Sequence, residues 1–248
     1  MKTTKIEWTE KVWNPSIGCN KISAGCKFCY AEVFARRLQA IGIKDYCDGF
    51  KFKILPHRLN EPLKIKKPTK FFVNSMSDLF HEEMPFDYLD KIFEIIEKTP
   101  QHIYQILTKR EEIMYKYFLK RIVPINVWLG VTVENSLYKH RIDILRKVDA
   151  IIRFISFEPL IGPIGKTDLS KIHWVIVGGE SGKRARQIKK EWVQEIFEQC
   201  KGQNVAFFFK QWGTWGADEI KRSKKKNGRL FLGKLWNEYP DVAINYQV

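Results

Sequence analysis

Six short stretches of this chain are almost wholly apolar: KFFVN at Lys70–Asn74, HIYQIL at His102–Leu107, NVWLGV at Asn126–Val131, IIRFIS at Ile151–Ser156, HWVIV at His173–Val177 and VAFFFK at Val205–Lys210. A strand with one wet face alternates polar and apolar residues. A strand without alternation is covered on both faces, as in a parallel sheet sheathed by helices. Stretches with helical spacing lie between these runs. They cover Phe86–Glu97, the chain after Arg110 to about Arg121, the chain after Asn135 to about Val148, and Lys189–Gly202. Strand and helix therefore alternate, which predicts an α/β fold. A further short strand near Trp13–Ile17 brings the count to about seven units, whereas a closed barrel needs eight. The expectation is an incomplete (partial) TIM-type barrel of about six to seven parallel strands over residues 1–215. A small basic C-terminal extension follows over 216–248, with a hairpin-like turn at Asn227-Gly228. No Gly-x-Gly-x-x-Gly dinucleotide turn is present.

Polar residues collect just after the runs: Ser75, Ser77, Asp78, Lys109, Thr132, Glu134, Glu158, Glu180 and Lys210. That end of a parallel sheet carries the active site in α/β folds. Each residue alone reads equally well as a helix cap or a surface group. A polar residue at nearly every strand end predicts one shared cavity.

Three of the five cysteines, Cys19, Cys26 and Cys29, sit on one short segment, GCNKISAGCKFCYAEVFARR, while Cys47 and Cys200 are isolated. The N-terminal segment lacks the apolar core of a signal peptide. A cytoplasmic location is expected, and grouped thiols there read as metal or redox ligands rather than disulfides. Two readings are open. Zinc would want a fourth ligand, for which Cys47, His57 and His81 are candidates. A 4Fe–4S cluster would use three thiolates and leave one iron free for a small molecule.

The formal net charge of +15 points to a polyanionic partner or an anionic substrate. Part of the excess is local, since seven basic residues and no acidic one lie between Lys221 and Lys234. Such a run serves as a solvated surface loop or as a nucleic-acid contact. Trp8, Trp13, Trp212 and Trp215 are candidates for base stacking, or for ordinary core packing.

The cysteine segment resembles that of radical S-adenosylmethionine (SAM) enzymes, whose loop runs Cys-x3-Cys-x-aromatic-Cys. Cys26-Lys27-Phe28-Cys29 matches its second half; the first gap departs from it, with six residues between Cys19 and Cys26. A wider resemblance rests on IEWTEKVWNPSIGC, FVNSMSDLFHEEMP, QILTKR, NVWLGVTVEN, RFISFEPLIGP, WVIVGGESG and FFFKQWG together. These blocks look like the phage Gp37/Gp68-type (DUF5131) family, placed among radical SAM proteins, and the layout is similar to that of spore photoproduct lyase.

The resemblance implies a radical SAM enzyme with Cys19, Cys26 and Cys29 as ligands of a 4Fe–4S cluster and SAM as cofactor. Reductive cleavage of SAM would give a 5′-deoxyadenosyl radical that takes hydrogen from a DNA, RNA, nucleotide or other anionic substrate. An electron donor such as flavodoxin or ferredoxin is implied as partner. It further implies Ser75, Ser77 and Asp78 at the methionyl amine, Lys109 at the SAM carboxylate, and Thr132 and Glu134 at the ribose. Phe28 and Tyr30 would pack beside the cluster. Gly178-Gly179-Glu180 spells the superfamily's amine-binding motif but follows the sixth strand rather than the second, so it and Glu158 are expected on the adenosine or substrate side. The alternatives are a non-catalytic zinc- or cluster-stabilised nucleic-acid-binding protein and a partner protein of a phage or defence system.

Overall fold

The computed structural model describes residues 4–241. Nine strands and six α-helices follow one another among these residues. The strands are β1 (Lys11–Trp13), β2 (Ser16–Ile17), β3 (Lys53–Ile54), β4 (Lys70–Val73), β5 (Ile103–Thr108), β6 (Val127–Thr132), β7 (Ile152–Phe157), β8 (Trp174–Gly178) and β9 (Ala206–Gln211). The helices are α1 (Tyr30–Ala40), α2 (Phe86–Glu97), α3 (Glu111–Phe118), α4 (His140–Lys147), α5 (Lys190–Gly202) and α6 (Lys224–Asn227). Seven strands form one sheet in the order β1-β4-β5-β6-β7-β8-β9, and every neighbouring pair is parallel. The fold is an incomplete TIM-type α/β barrel of seven strands.

The six apolar runs all become strands of this sheet, and their residues divide between its faces with period two. Phe71, Val73, Tyr104, Ile106, Leu129, Val131, Val175, Val177, Phe207 and Phe209 join the core shared with the helices. Their neighbours Phe72, Trp128, Phe154, Trp174, Ile176 and Phe208 meet on the concave face, with Trp8 packed among them. Covering both faces is what removes the alternation from these strands. α2 shows the helical side of the same argument. Tyr88, Leu89, Ile92, Phe93 and Ile96 form one buried stripe, and each such side chain contributes about 1.5–3 kcal/mol by leaving water.

Two expectations change. The strand placed near Trp13–Ile17 is two separate strands. β1 ends at Trp13, and after Asn14-Pro15 the short β2 pairs antiparallel with β3 in a second sheet. Pro15 has no N–H to continue a ladder, and its carbonyl accepts bonds from the Leu55 amide (2.7 Å) and the Tyr88 hydroxyl (3.1 Å) instead. Asn227-Gly228 is not a hairpin turn. Ser223 caps the N-terminus of α6, and Gly228 ends that helix at φ +67°.

Residues 231–238 lie against β9 and α5. Phe231 enters the main core and Trp236 packs on Phe197. Trp8, Trp13 and Trp212 are buried and unavailable to stack on a ligand. The indole of Trp215 donates to the Ala185 carbonyl at 2.7 Å. Among the described residues no helix is long and apolar enough to cross a membrane.

Candidate functional site

The period-two register sorts the polar strand ends. Counting on from Trp128, Phe154 and Trp174, the concave face receives Thr132 at the end of β6 and Glu134 beyond it, Glu158 after β7 and Glu180 after β8. Lys109 follows Leu107, and Lys210 follows Phe208, on the same face. Thr108 and Asp78 are instead buried together, with Thr108 Oγ1 donating to Asp78 Oδ1 at 2.6 Å.

The cysteine segment crosses this end of the barrel between β2 and α1. Gly18 lets it start there. Its φ is +76°, and a Cβ would sit 2.0 Å from the Lys51 carbonyl oxygen, a conformation and a space that only glycine tolerates. The Gly18 amide donates to the Met76 carbonyl (2.9 Å), and the Ser77 hydroxyl donates to the Gly18 carbonyl (2.7 Å). The loop is thereby stitched to the chain leaving β4.

The six residues between Cys19 and Cys26 are an anchor. Ser23 Oγ donates to Glu134 Oε1. The Ala24 amide donates to the Tyr138 hydroxyl at 3.0 Å, and the Ala24 carbonyl accepts Arg186 Nη1 at 2.8 Å. Gly25 lies against Glu134 so closely that a Cβ would come within 2.6 Å of its Cγ. Glu134 is fully buried, and its Oε2 accepts Arg141 Nη1 at 2.9 Å. The long first gap thus has a structural use: it docks the loop onto Glu134 and Tyr138 in the connection between β6 and α4 and onto Arg186.

All three thiols are half-buried. Cys19 Sγ receives Arg110 Nη1 at 3.4 Å. Burial, and then the Asp78 carboxylate, push the Cys19 thiol up to about 11 against the opposing pull of Arg110. Burial also works against ionising Cys26. There the Lys109 ammonium, the Ser23 hydroxyl and the backbone at Ile22 and Ser23 outweigh it, holding that thiol below its usual range. Cys29 closes the loop and begins α1.

The residues expected at the cofactor take several roles. Asp78 accepts the Phe80 and Lys109 amides (3.0 Å each), Thr108 Oγ1 and Arg110 Nη1, so its oxygens are occupied by the fold. Ser77 holds Gly18, as described. Ser75 Oγ donates to Asn14 Oδ1 at 3.2 Å, and the Ser75 carbonyl accepts the Tyr30 hydroxyl at 2.6 Å. Thr132 is buried and its carbonyl accepts Arg141. Glu134 is the anchor just described, with Lys109 Nζ 3.9 Å from its Oε1. Glu180 is gripped by Arg186 through Nε (3.0 Å) and Nη2 (2.6 Å), and the Arg186 guanidinium lies 5.4 Å from the centre of the Phe28 ring. Glu158 pairs with Lys210 at 2.8 Å, both partly open to solvent. Lys109, the Glu158–Lys210 pair and the three thiols are the groups that retain access.

Sequence reasoning missed Arg110, Arg141, Arg186 and Ser23, the residues that connect the loop to the barrel. Arg110 stands beside Lys109 in the QILTKR block and could have been flagged there. The others join the site only through contacts between segments more than a hundred residues apart or across a loop.

Among the described residues, none of the candidate fourth ligands for zinc groups with the thiols. Cys47 is exposed with its Sγ 3.3 Å from Asp48 Oδ2. His57 pairs with Asp45 at 3.3 Å. His81 is buried, stacked on Phe52 at 4.1 Å, with Nδ1 accepting the Glu83 amide. Among the described residues no three His, Cys, Asp or Glu side chains converge on one ion. A single zinc needs its sulfurs about 2.3 Å from one point, whereas a cubane takes each thiolate on a different iron. The donor set suits the cluster better. Three half-buried thiols lie on one loop, an ammonium acts on Cys26, and Arg110 keeps a buried Nη2 without a partner on the guanidinium that reaches Cys19.

The family described as "Protein of unknown function (DUF5131)" matches residues 3–240. The chain belongs to the DUF5131 family. Among curated proteins none matches this DUF5131 member. Among solved structures it is similar to spore photoproduct lyase complexed with dinucleoside spore photoproduct, at 15% identity and a TM-score of 0.49. A cysteine-to-serine mutant of that lyase stands at 16% and 0.49. A double mutant with bound AdoMet and dinucleoside spore photoproduct stands at 16% and 0.47. Each superposition covers 80% of this chain and 62% of the other, so this DUF5131 chain spans less than two thirds of their length.

Proposed function

We propose that this protein is a radical SAM enzyme in which Cys19, Cys26 and Cys29 hold a 4Fe–4S cluster and SAM completes the site. The reading is supported by three half-buried thiols on one loop that leaves the short strand β2 at the strand-end side of a parallel half-barrel, with the Lys109 ammonium acting on Cys26. One-electron reductive cleavage of SAM is the chemistry that cluster and cofactor supply when bound. The chain's own residues set the stage. Ser77 and Glu134 fix the two ends of the loop, and Arg110 presents N–H donors to Cys19. Lys109 offers a cation to an anionic ligand group. The Glu158–Lys210 pair offers one charge of each sign across the barrel mouth. The substrate is a nucleic acid, a nucleotide or another anion, supported by the net charge of +15.

The test is anaerobic reconstitution with iron and sulfide. About four irons per chain and a visible charge-transfer absorbance are expected, followed by release of 5′-deoxyadenosine when SAM and a reductant are added. Cys26→Ala abolishes iron uptake and Cys200→Ala leaves it intact. Tight binding of one zinc with no iron uptake would overturn the reading.

A further inference from the structure

We propose that the outer face of α1, beside Cys29, is a docking groove for single-stranded nucleic acid. This deepens the reading above, naming the class of substrate and where it lies. α1 buries Ala31 and Ala35 against the β2–β3 layer. It turns Val33, Phe34 and Arg37 outward, and Tyr30, at position i of the same i, i+3, i+4, i+7 stripe, keeps a ring face open while its hydroxyl reaches the Ser75 carbonyl. Tyr30 is 60%, Val33 50% and Phe34 48% exposed. An exposed apolar stripe on a helix marks a surface that something else covers.

The stripe forms one wall of a groove of about 730 Å³, faced by the Ser181–Ala185 segment, and Cys29 lies in its lining. Six cations line it, Lys21, Lys27, Arg36, Arg37, Lys183 and Arg184, against one carboxylate, Glu32. Glu32 is already held by Lys21 and Arg36 at 2.8 Å each. The charge of the other four stands uncompensated within the groove. A second basic hollow shares Ser181, Gly182 and Lys183 and continues to Lys221, Arg222 and Lys224. Arg222 is held by Asp218 and Lys224 by Glu7, so Lys221 is the cation by which this hollow extends the basic surface of the groove toward the C-terminal extension.

Charge complementarity and aromatic faces together select the occupant. Phosphates call for cations along a path, and unstacked bases call for flat apolar faces between them. A duplex keeps its bases inside and would leave Tyr30 and Phe34 unused; a single strand uses both features. An acidic polypeptide without aromatic groups would use the cations alone, and a membrane surface takes up apolar side chains and cations together only on a convex face, whereas here they line two facing walls of a groove.

The test is fluorescence anisotropy of fluorescein-labelled single strands of about 16 nucleotides, DNA and RNA, against the full chain without SAM. Wild type is expected to bind with a steep salt dependence. The combined Arg37→Ala, Lys183→Ala and Arg184→Ala variant flattens the slope of log K against log salt by about 2, at about 0.7 per cation for a single strand. Phe34→Ala weakens binding about 5- to 150-fold with the slope unchanged. Lys98→Ala, at the end of α2, changes neither. Thermal melts confirm that each variant folds. The proposal is overturned if the triple variant binds as wild type does, or if a duplex of equal length binds as tightly as the single strand. Groove-dependent binding of poly-glutamate or phosphatidylserine vesicles without binding of the strand overturns it too. Iron uptake and 5′-deoxyadenosine release are scored separately on the wild-type chain. Their failure alone overturns the enzymatic reading and leaves the groove standing, and failure of strand binding alone does the reverse.

Discussion

Arg110 Nη1 donates to Cys19 Sγ across 3.4 Å, while the same guanidinium holds Glu82 Oε2 through Nε at 2.5 Å and lies 3.3 Å from Asp78 Oδ2. Arg110 is 6% exposed, so two carboxylates fix a buried cation against a thiol. Glu82 shows the coupling from its own side. Burial opposes its ionisation, yet Arg110 and Asn20 hold its carboxyl at about 2.

Hydrogen bonds to ligating sulfurs and nearby charge set the potential of an iron–sulfur centre. Arg110→Lys keeps the charge but loses the planar fork. The reconstituted variant should retain its iron and show a lower reduction potential in a potentiometric titration followed by electron paramagnetic resonance. An unchanged potential would reduce the contact to a packing role.

Alkylation of the metal-free protein separates the thiols. With Cys19 at about 11, on the order of one molecule in a thousand carries its thiolate at pH 8. Cys26 sits below its usual range and should be modified well before Cys19. Cys200 is fully buried, and burial pushes it up to about 12. It should react only after unfolding. Timed iodoacetamide quenches read by peptide mass spectrometry give the order, and early labelling of Cys200 would contradict the packing of α5.

Gly25→Ala drives a methyl group into Glu134. The overpacking should cost about 1–3 kcal/mol and reduce iron uptake, because the loop can no longer seat on Glu134. Gly202→Ala, with nothing within 4 Å of the new Cβ, should change stability by less than about 1 kcal/mol. Urea unfolding of the two variants, with iron analysis after reconstitution, makes the comparison.

Glu134→Gln keeps the shape and removes the charge that Arg141 and Lys109 face. Arg141 retains Glu111 at 3.2 Å, so the loss should fall at the lower end of the range for a broken buried pair, about 3 kcal/mol. A shift in the urea midpoint worth less than about 1 kcal/mol would show that the ion pair is not structural.

Acid should destabilise the fold through its buried histidines. Burial holds His81, His102 and His173 below the ordinary imidazole value of about 6.5, with Arg110 and Arg153 adding to the effect at His81 and His173. Nδ1 of both His81 and His173 accepts a backbone amide, a bond that the imidazolium cannot accept. The folded values lie below the unfolded one, so the unfolded chain binds more protons in between. Stability is complete above about pH 6.5 and falls as the pH drops through that value toward the folded ones. Urea midpoints between about pH 5 and 8 should show this slope, and His102→Gln with His173→Gln should flatten it.

The sequence by itself determined the architecture. Runs such as Ile151–Ser156 and His173–Val177 lack alternation because both faces of the sheet are covered, and that property is local and legible. It also placed three cysteines on one loop and a basic excess on the chain. It could not say that Trp8, Trp13 and Trp212 are core, since a tryptophan's letters do not record which side it faces. Nor could it tell that Asp78 and Glu180 are tied by arginines while Lys109 keeps access. Tertiary structure decided those roles because a parallel sheet gathers strand ends that are far apart in the chain. Ser23 and Glu134 meet across 111 positions, and no local pattern encodes such a pairing. The same holds for α1, whose spacing does not tell which side the β2–β3 layer buries and which it leaves exposed.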